Sequence, residues 1–266
     1  MELLGYFASL LIGISLGLIG GGGSILTVPV LVYLFDIPPV LATAYSLFIV
    51  GMSSLVGAWP KYRQGMVHLE TGLVFGIPSI TSVFLTRKYL MPMIPEEMLQ
   101  WGTFRLEKSV FILILFSILM VGASISMIRG HCEHCDKEED ERTSIQFNYP
   151  MMLLEGLVVG ILTGLVGAGG GFLIIPALVM LSKLPMKQAI GTSLLIIAAK
   201  SLIGFTGDLG HQAMDWNFLM SITALSILGI FIGNGLNQKL DSKKLKVGFG
   251  WFVLGMGLFI LGQQLF

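Results

Sequence analysis

The chain has 266 residues, of which 54% are hydrophobic and only 12% are charged. A soluble domain of this length needs far more charge on its surface, so the composition excludes an ordinary globular protein and indicates an integral membrane protein. Sixteen basic residues balance sixteen acidic residues, so the net charge gives no reason to expect a nucleic-acid partner.

Ten apolar segments follow one another along the chain. Their length and unbroken apolarity predict helices, because isolated strands cannot satisfy their backbone groups in lipid. A full crossing takes about 20 residues, so the second and seventh segments are too short for a comfortable crossing. The predicted fold is an all-α polytopic membrane protein with about eight full spans and two short segments. The segments cover residues 3–19, 25–35, 40–59, 69–85, 110–128, 152–166, 172–181, 189–205, 218–232 and 247–265.

Two glycine-rich breaks lie 147 positions apart in this apolar sequence. Residues 17–59 align without a gap against residues 164–206, and the agreement of glycines, prolines and serines along both stretches indicates an internal duplication. The most polar stretch of the chain separates the two copies. The predicted units are a first transmembrane repeat at residues 1–128, a polar linker at residues 129–148 and a second transmembrane repeat at residues 149–266.

The relative orientation of the two repeats depends on how the short segments run. If every segment crosses the membrane, each repeat has an odd number of spans and the repeats are inverted. Most of the lysines outside the spans then fall on one face, as the positive-inside rule requires. If the short segments re-enter and leave on the same side, the repeats are parallel. Inversion is the favoured interpretation, and the parallel arrangement stays open.

The glycine breaks are candidate anion-binding turns, each opening a half-helix. Glycines leave backbone N–H groups open to an approaching anion, and the helix dipole adds about half a positive charge. Two short, glycine-opened segments at matching positions of two repeats are typical of the binding site of a secondary transporter. The alternative is that these glycines only allow close helix packing. The candidate residues are Gly20, Gly21, Gly22, Gly23 and Ser24 in the first repeat, and Gly167, Gly169, Gly170 and Gly171 in the second.

Lys200 lies inside the apolar run 189–205, far from both ends, where a charge is costly and usually functional. It shares one helical face with Ser193, seven residues earlier, and the matching face of the first repeat also carries hydroxyl groups. An ammonium among hydroxyls suits a small oxyanion. Alternatively, Lys200 snorkels to the interface or pairs with a buried acid such as Glu155. The predicted hydroxyl contacts are Thr43, Ser46, Ser53, Thr192 and Ser193.

Other polar residues fall in loops between the apolar segments. Arg87 is assigned to a loop of mixed charge after the fourth segment. Asp208 and His211 follow the Lys200 segment, where they either guard the entrance of a pathway or are merely solvated. His68 and Asp215 each precede a predicted helix, so we expect them to cap it.

One stretch of five residues in the linker contains four soft or borderline metal ligands. Thiolate and imidazole suit zinc or copper, although a structural zinc site usually takes two ligand pairs separated by a longer loop. A redox-active thiol pair in a reducing compartment is an equally good interpretation, as is an ordinary polar linker. The candidate ligands are His131, Cys132, His134 and Cys135. No cofactor is predicted elsewhere in the chain.

Several motifs together resemble the TauE/SafE family of sulfite exporters and sulfonate permeases, and the likeness covers nearly the whole chain except the linker. The resemblance implies a multi-pass carrier in the bacterial inner membrane that moves sulfite, sulfoacetate or related sulfur-containing anions. The His/Cys linker is not part of the family pattern. The residues that carry the resemblance are 17–23 with Pro29, 42–47, 164–171 with Pro176, 190–194 and 214–216.

The leading functional hypothesis is a secondary carrier of a small oxyanion, with membrane lipid around it. Two alternatives stay open: an anion channel that has the same site but no alternating gate, and a membrane protein regulated through a metal- or redox-sensing linker. No Ser–His–Asp pattern and no pair of inward carboxylates can be assembled, so an enzyme is not predicted. The sequence gives no oligomeric state.

Overall fold

The computed structural model describes residues 2–101, 104–129, 149–181, 184–211, 213–237 and 242–265. These residues form eleven α-helices, eight of which have 17 or more residues. The helices are α1 (Glu2–Ile19), α2 (Thr27–Phe35), α3 (Pro39–Arg63), α4 (Leu69–Leu85), α5 (Met91–Met93), α6 (Lys108–Arg129), α7 (Tyr149–Val166), α8 (Gly171–Leu181), α9 (Met186–Thr206), α10 (Trp216–Asn237) and α11 (Ser242–Leu265).

Two helical segments of other types interrupt this series. A 3-10 helix, Gly20–Leu26, joins α1 to α2, and a π-helical turn, Thr86–Leu90, carries the chain from α4 into α5. An antiparallel hairpin of β1 (Glu97–Trp101) and β2 (Phe104–Glu107) follows. This hairpin is the only sheet within the described residues, and all other regular elements there are helical. The all-α prediction is therefore confirmed.

The helix lengths agree with a multi-pass membrane protein. By length and composition, six segments of the described chain are apolar enough to cross a membrane: Pro39–Arg63, Leu69–Met93, Lys108–Ile128, Gln188–Thr206, Trp216–Leu236 and Val247–Gln264. The first and seventh helices add two further apolar helices of 18 residues each. The second and eighth have 9 and 11 residues, so the two predicted short segments are confirmed as short helices.

Local sequence explains where several of these helices begin. Pro39 occupies the first position of α3, where the missing N–H group has no intrahelical partner to lose. The His68 side chain accepts a hydrogen bond from the Thr71 N–H group (3.3 Å), and Asp215 Oδ1 accepts one from the Phe218 N–H group (3.1 Å). The predicted capping roles of His68 and Asp215 are thus confirmed.

The core of the protein is formed by α3 and α9, which pack against each other and are the most buried of the six long apolar segments. The outer helices expose large apolar side chains, among them Trp251, Phe252 and Phe259 of α11. Aromatic residues outside and hydroxyl-bearing residues inside are the arrangement expected of a helix bundle in lipid.

The remaining long helices pack in pairs around this core. The most extensive contacts of α1 are with α10, those of α4 are with α7, and those of α6 are with α11. Glycines let two of these pairs approach closely: a Cβ on Gly156 of α7 would lie 2.8 Å from the Phe75 carbonyl oxygen of α4. Close packing through small residues is the main way helices associate in lipid. The two short helices lie beside the core: α2 packs against α3, and α8 packs against α9.

Candidate functional site

The two glycine breaks meet in the interior of the bundle. Gly21 and Gly171 lie backbone to backbone, so closely that a Cβ on either would overlap the Cα of the other. Both glycines are buried, and the same Ile197 side chain of α9 contacts both. The two breaks therefore adjoin one another inside the protein.

The two breaks differ in backbone conformation. In the first, Gly20 has a φ of +73°, and residues 20–26 wind into the 3-10 helix, in which the Ser24 hydroxyl donates to the Gly21 carbonyl at 2.7 Å. A 3-10 helix bonds N–H groups to its own carbonyls, so few are left for a ligand. The first break is thus a tight helical turn, unlike the open turn that the sequence predicts in both repeats.

The second break is open. Three of its glycines, Gly167, Gly169 and Gly170, have positive φ values between +63° and +72°, which side chains of L-residues rarely adopt. Within the described chain, the Gly167 amide donates to Thr163 and the Gly170 amide donates to Ala168. The amides of Gly169 and Gly171 have no protein acceptor there. Donors of this kind at the start of α8 are what an anion would use.

Lys200 of α9 lies beside this open turn. Its side chain is 1% exposed, and Nζ donates to the Thr163 hydroxyl at 3.1 Å. A methyl group on Gly170 would lie 2.6 Å from Nζ, so the ammonium is in direct contact with the turn. Among the described residues no carboxylate oxygen lies within 4.0 Å of Nζ. Neither alternative, snorkelling to the interface or pairing with Glu155, is therefore seen.

The predicted hydroxyls do not all gather around Lys200. Ser53 donates to Ser226 of α10 at 3.0 Å, and Ser193 donates to a carbonyl of its own helix. The Thr192 hydroxyl accepts a hydrogen bond from the His68 N–H group at 2.9 Å. The hydroxyl that does contact Lys200, Thr163, was not selected from the sequence, although its position four residues before Gly167 is a usable signal.

Of the predicted hydroxyl residues, Thr43 of α3 contacts the open turn directly. A methyl group on Gly167 would lie 2.6 Å from the Thr43 Cα atom, so Thr43 packs directly on the turn. The Ser46 hydroxyl is buried and has no hydrogen-bond partner among the described residues. A buried hydroxyl without a partner is costly, and such groups at a site often await a ligand or water.

Arg87 is the polar residue whose position differs most from the sequence prediction. It lies in the π-helical turn and is 1% exposed, with Nη1 donating to Thr43 Oγ1 at 3.0 Å and lying 3.3 Å from Asp208 Oδ2. Assigning Arg87 to a loop of mixed charge was wrong, because the helix of α4 continues through the π-helical turn and carries Arg87 inward. π-helical turns of this kind are frequent at functional sites.

Comparison with known proteins decides the family. The model of the sulfite exporter TauE/SafE family matches residues 6–260, nearly the whole chain. The protein belongs to the TauE/SafE family. It is therefore a multi-pass membrane transporter, as the helix lengths and the exposed apolar surface also indicate.

Curated relatives of this TauE/SafE transporter come from distant organisms. A "Probable membrane transporter protein" of Xylella fastidiosa strain Temecula1 is 27% identical over 257 residues, covering 96% of this chain and 92% of the relative. A protein of the same description from Methanocaldococcus jannaschii is 28% identical over 269 residues, covering 94% and 92%. Bacillus subtilis YdhB is 26% identical over 223 residues, covering 84% and 85%. No solved structure matches the chain.

The candidate metal ligands of this TauE/SafE transporter, His131, Cys132, His134 and Cys135, lie outside the described residues. Their role stays a prediction. Within the described part of the chain, no group of three or more His, Cys, Asp or Glu side chains is arranged to hold a metal ion.

Proposed function

We propose that this TauE/SafE transporter is a secondary carrier of a small oxyanion, most simply sulfite or a related sulfur oxyanion or organosulfonate. The anion would bind at the open turn of residues 167–171, between the Lys200 ammonium and the amide groups that begin α8. Alternating access would open this site to one side of the membrane and then to the other.

The observation that carries the proposal is the unpaired burial of Lys200. An ammonium that has lost its water is costly unless an anion or a set of hydrogen-bond acceptors replaces it. Lys200 has one neutral hydroxyl, that of Thr163, and no carboxylate among the described residues. The Lys200 ammonium also lies beside the N-terminus of α8, whose partial positive charge further favours a bound anion. A small oxyanion satisfies both features at once.

The chemistry of the neighbours favours an oxyanion over a halide. The amides that begin α8 and the Lys200 ammonium are all donors, and they match the several acceptor oxygens of a sulfite or sulfonate group. The low dielectric of the interior strengthens each of these hydrogen bonds. The family description, sulfite exporter, agrees with this class of cargo.

The test is transport by purified protein in liposomes, with sulfite, thiosulfate and isethionate as cargo. Lys200→Met keeps most of the side-chain volume and removes the charge. We expect it to raise the half-saturating concentration by roughly tenfold or more, since hydrogen bonds to charged groups contribute about 1.5–3 kcal/mol. Flux that saturates at a low rate and couples to protons would favour the carrier, whereas large single-channel currents would favour the channel alternative.

Lys88→Met is the matched control. Lys88 lies in the same π-helical turn as Arg87, but its side chain is exposed, with Nζ over the rings of Phe84 and Tyr89. Its substitution should leave flux unchanged. Unaltered half-saturation in Lys200→Met, with folding verified by thermal unfolding, would remove Lys200 from the cargo site and refute the proposal.

A further inference from the structure

A second polar cavity lies next to the buried Arg87. Its volume is about 200 Å³, and the ionisable residues that line it are Arg87, Glu96, Lys108, Asp208 and His211. A single water needs only about 10–15 Å³ of such volume, so the cavity has room for a small oxyanion and several waters. Neither Lys200 nor the open glycine turn is among its lining residues.

The guanidinium of Arg87 is only partly satisfied. An arginine side chain carries five N–H donors. Nη1 donates to the Thr43 hydroxyl and lies 3.3 Å from Asp208 Oδ2 without forming a hydrogen bond to it. Nε and Nη2 are buried and have no hydrogen-bond partner among the described residues. The ion pair with Asp208 is thus made through one nitrogen only, without the two parallel hydrogen bonds that a guanidinium and a carboxylate form when they pair fully. Two donor-bearing nitrogens of a cavity-lining arginine are left for another acceptor.

We propose that this cavity is a second oxyanion site, in which the anion binds Nε and Nη2 of Arg87 in competition with the Asp208 carboxylate. The ligand class is a small tetrahedral or pyramidal oxyanion such as sulfate, sulfite or a sulfonate headgroup, whose paired oxygens match the spacing of the two nitrogens. The site is distinct from Lys200, and its existence requires no particular transport mechanism.

The position of the cavity gives the site a place beside the central turn. Arg87 donates to the Thr43 hydroxyl, and Thr43 packs directly on Gly167 of the open turn. The Thr43 side chain would therefore lie between an anion bound to Arg87 and the open turn. Such a site would bind the cargo before it reaches the open turn.

The charges around Asp208 set the pH dependence. Facing it are Arg87 from the π-helical turn, His211 from its own loop, and Lys108 with Glu96 across the cavity. Lys108 Nζ already lies 3.7 Å from Glu96 Oε1, so these two charges compensate each other. Burial raises the pKa of Asp208, and the opposing effects of Arg87 and His211 do not cancel that rise.

The sign of the linkage follows from this competition. Protonated Asp208 carries no charge and releases its hold on the guanidinium, whereas ionised Asp208 competes with the anion. Anion affinity should therefore rise as the pH falls through the pKa of Asp208, and anion binding should be accompanied by proton uptake. Because sulfate stays fully ionised over this range, it is the probe that separates this effect from titration of the ligand.

The experiment is equilibrium binding of radiolabelled sulfate from acidic to mildly alkaline pH. All variants carry Lys200→Met, so that the readout does not depend on the site of the proposed function. Asp208→Asn removes the competing charge, and we expect it to raise sulfate affinity at neutral pH by roughly tenfold and to flatten the pH dependence. Adding Arg87→Gln to this variant should abolish the gain, and the two amides leave no unpaired charge to unfold the protein.

The matched control is Arg63→Gln. Arg63 is an exposed arginine at the end of α3, and its guanidinium lies over the Trp59 ring, so its loss should change nothing. The proposal is overturned if Asp208→Asn leaves sulfate affinity and its pH dependence as they were. It is also overturned if the double variant binds sulfate as tightly as Asp208→Asn alone. Normal transport by Lys200→Met would refute the proposed cargo site without touching this result.

Discussion

At the residue scale, the contact between Gly21 and Gly171 leaves no room for a methyl group. A Cβ on Gly171 would overlap the Cα atom and the carbonyl oxygen of Gly21. Both are backbone atoms, which cannot rotate away. Gly171→Ala should destabilise the protein by about 1–3 kcal/mol or more, the usual effect of overpacking. Thermal unfolding in detergent measures this. Gly255→Ala on α11 should not lower the melting temperature, because outside its own helix no atom of the described residues lies within 4 Å of the added methyl. Equal melting temperatures for the two variants would contradict the contact.

Lys200 and Arg87 show what sequence can and cannot reveal about single residues. The burial of Lys200 could be predicted, because a charged residue far from both ends of an apolar segment nearly always faces the interior of the protein. Arg87 could not, because Lys88 beside it and the polar residues that follow look like a solvated loop. Its burial depends on the π-helical turn, which changes the direction of the side chain by a fraction of a turn. No hydrophobic pattern encodes that rotation.

At the scale of elements, the packing of α1 against α10 depends on facing glycines. Gly13 and Gly229 each bring backbone against backbone, and a methyl on Gly229 would overlap the Leu10 carbonyl oxygen. Gly229→Ala should therefore force the helices apart and lower the melting temperature. Gly235→Ala on the same helix is the matched control, because its added methyl meets no atom of another described element within 4 Å. Alanine is a better helix former than glycine, so helix propensity alone would raise the melting temperature of both variants. A Gly229→Ala variant that melts as high as Gly235→Ala would therefore contradict the packing contact.

The two glycine breaks limit how far repeat symmetry can be used. The duplication predicts the two breaks at matching positions of the two copies. It does not predict that the first winds into a 3-10 helix while the second stays open. The residue that follows the last paired glycine differs, Ser24 in the first copy and Gly171 in the second, and the Ser24 hydroxyl bonds back to Gly21. One side chain thus closes the turn that its counterpart leaves open.

At the scale of the whole molecule, the principal helix contacts run between the two predicted repeats. The first-repeat helices α1, α3, α4 and α6 have their most extensive contacts with α10, α9, α7 and α11, all from the second. The sequence predicts two units in tandem, but it contains no signal for this interleaving, because in lipid helix pairing depends on the shape of small-residue faces. Each predicted repeat alone would leave the inner faces of its helices without a partner.

This interleaving predicts the behaviour of a divided chain. Residues 1–138 and 139–266, produced together as separate polypeptides, should co-purify and transport the cargo, since the cut falls in the polar linker and spares every described helix. Either fragment alone should aggregate or be degraded. The first would expose the face of α4 that bears Phe75, Ser79 and Val83, all buried in the intact protein, and the second would expose the matching face of α7. Size-exclusion chromatography with co-purification measures both outcomes. A second fragment that is monodisperse and helical by itself would mean that each repeat folds independently, and that the contacts between repeats form only after folding.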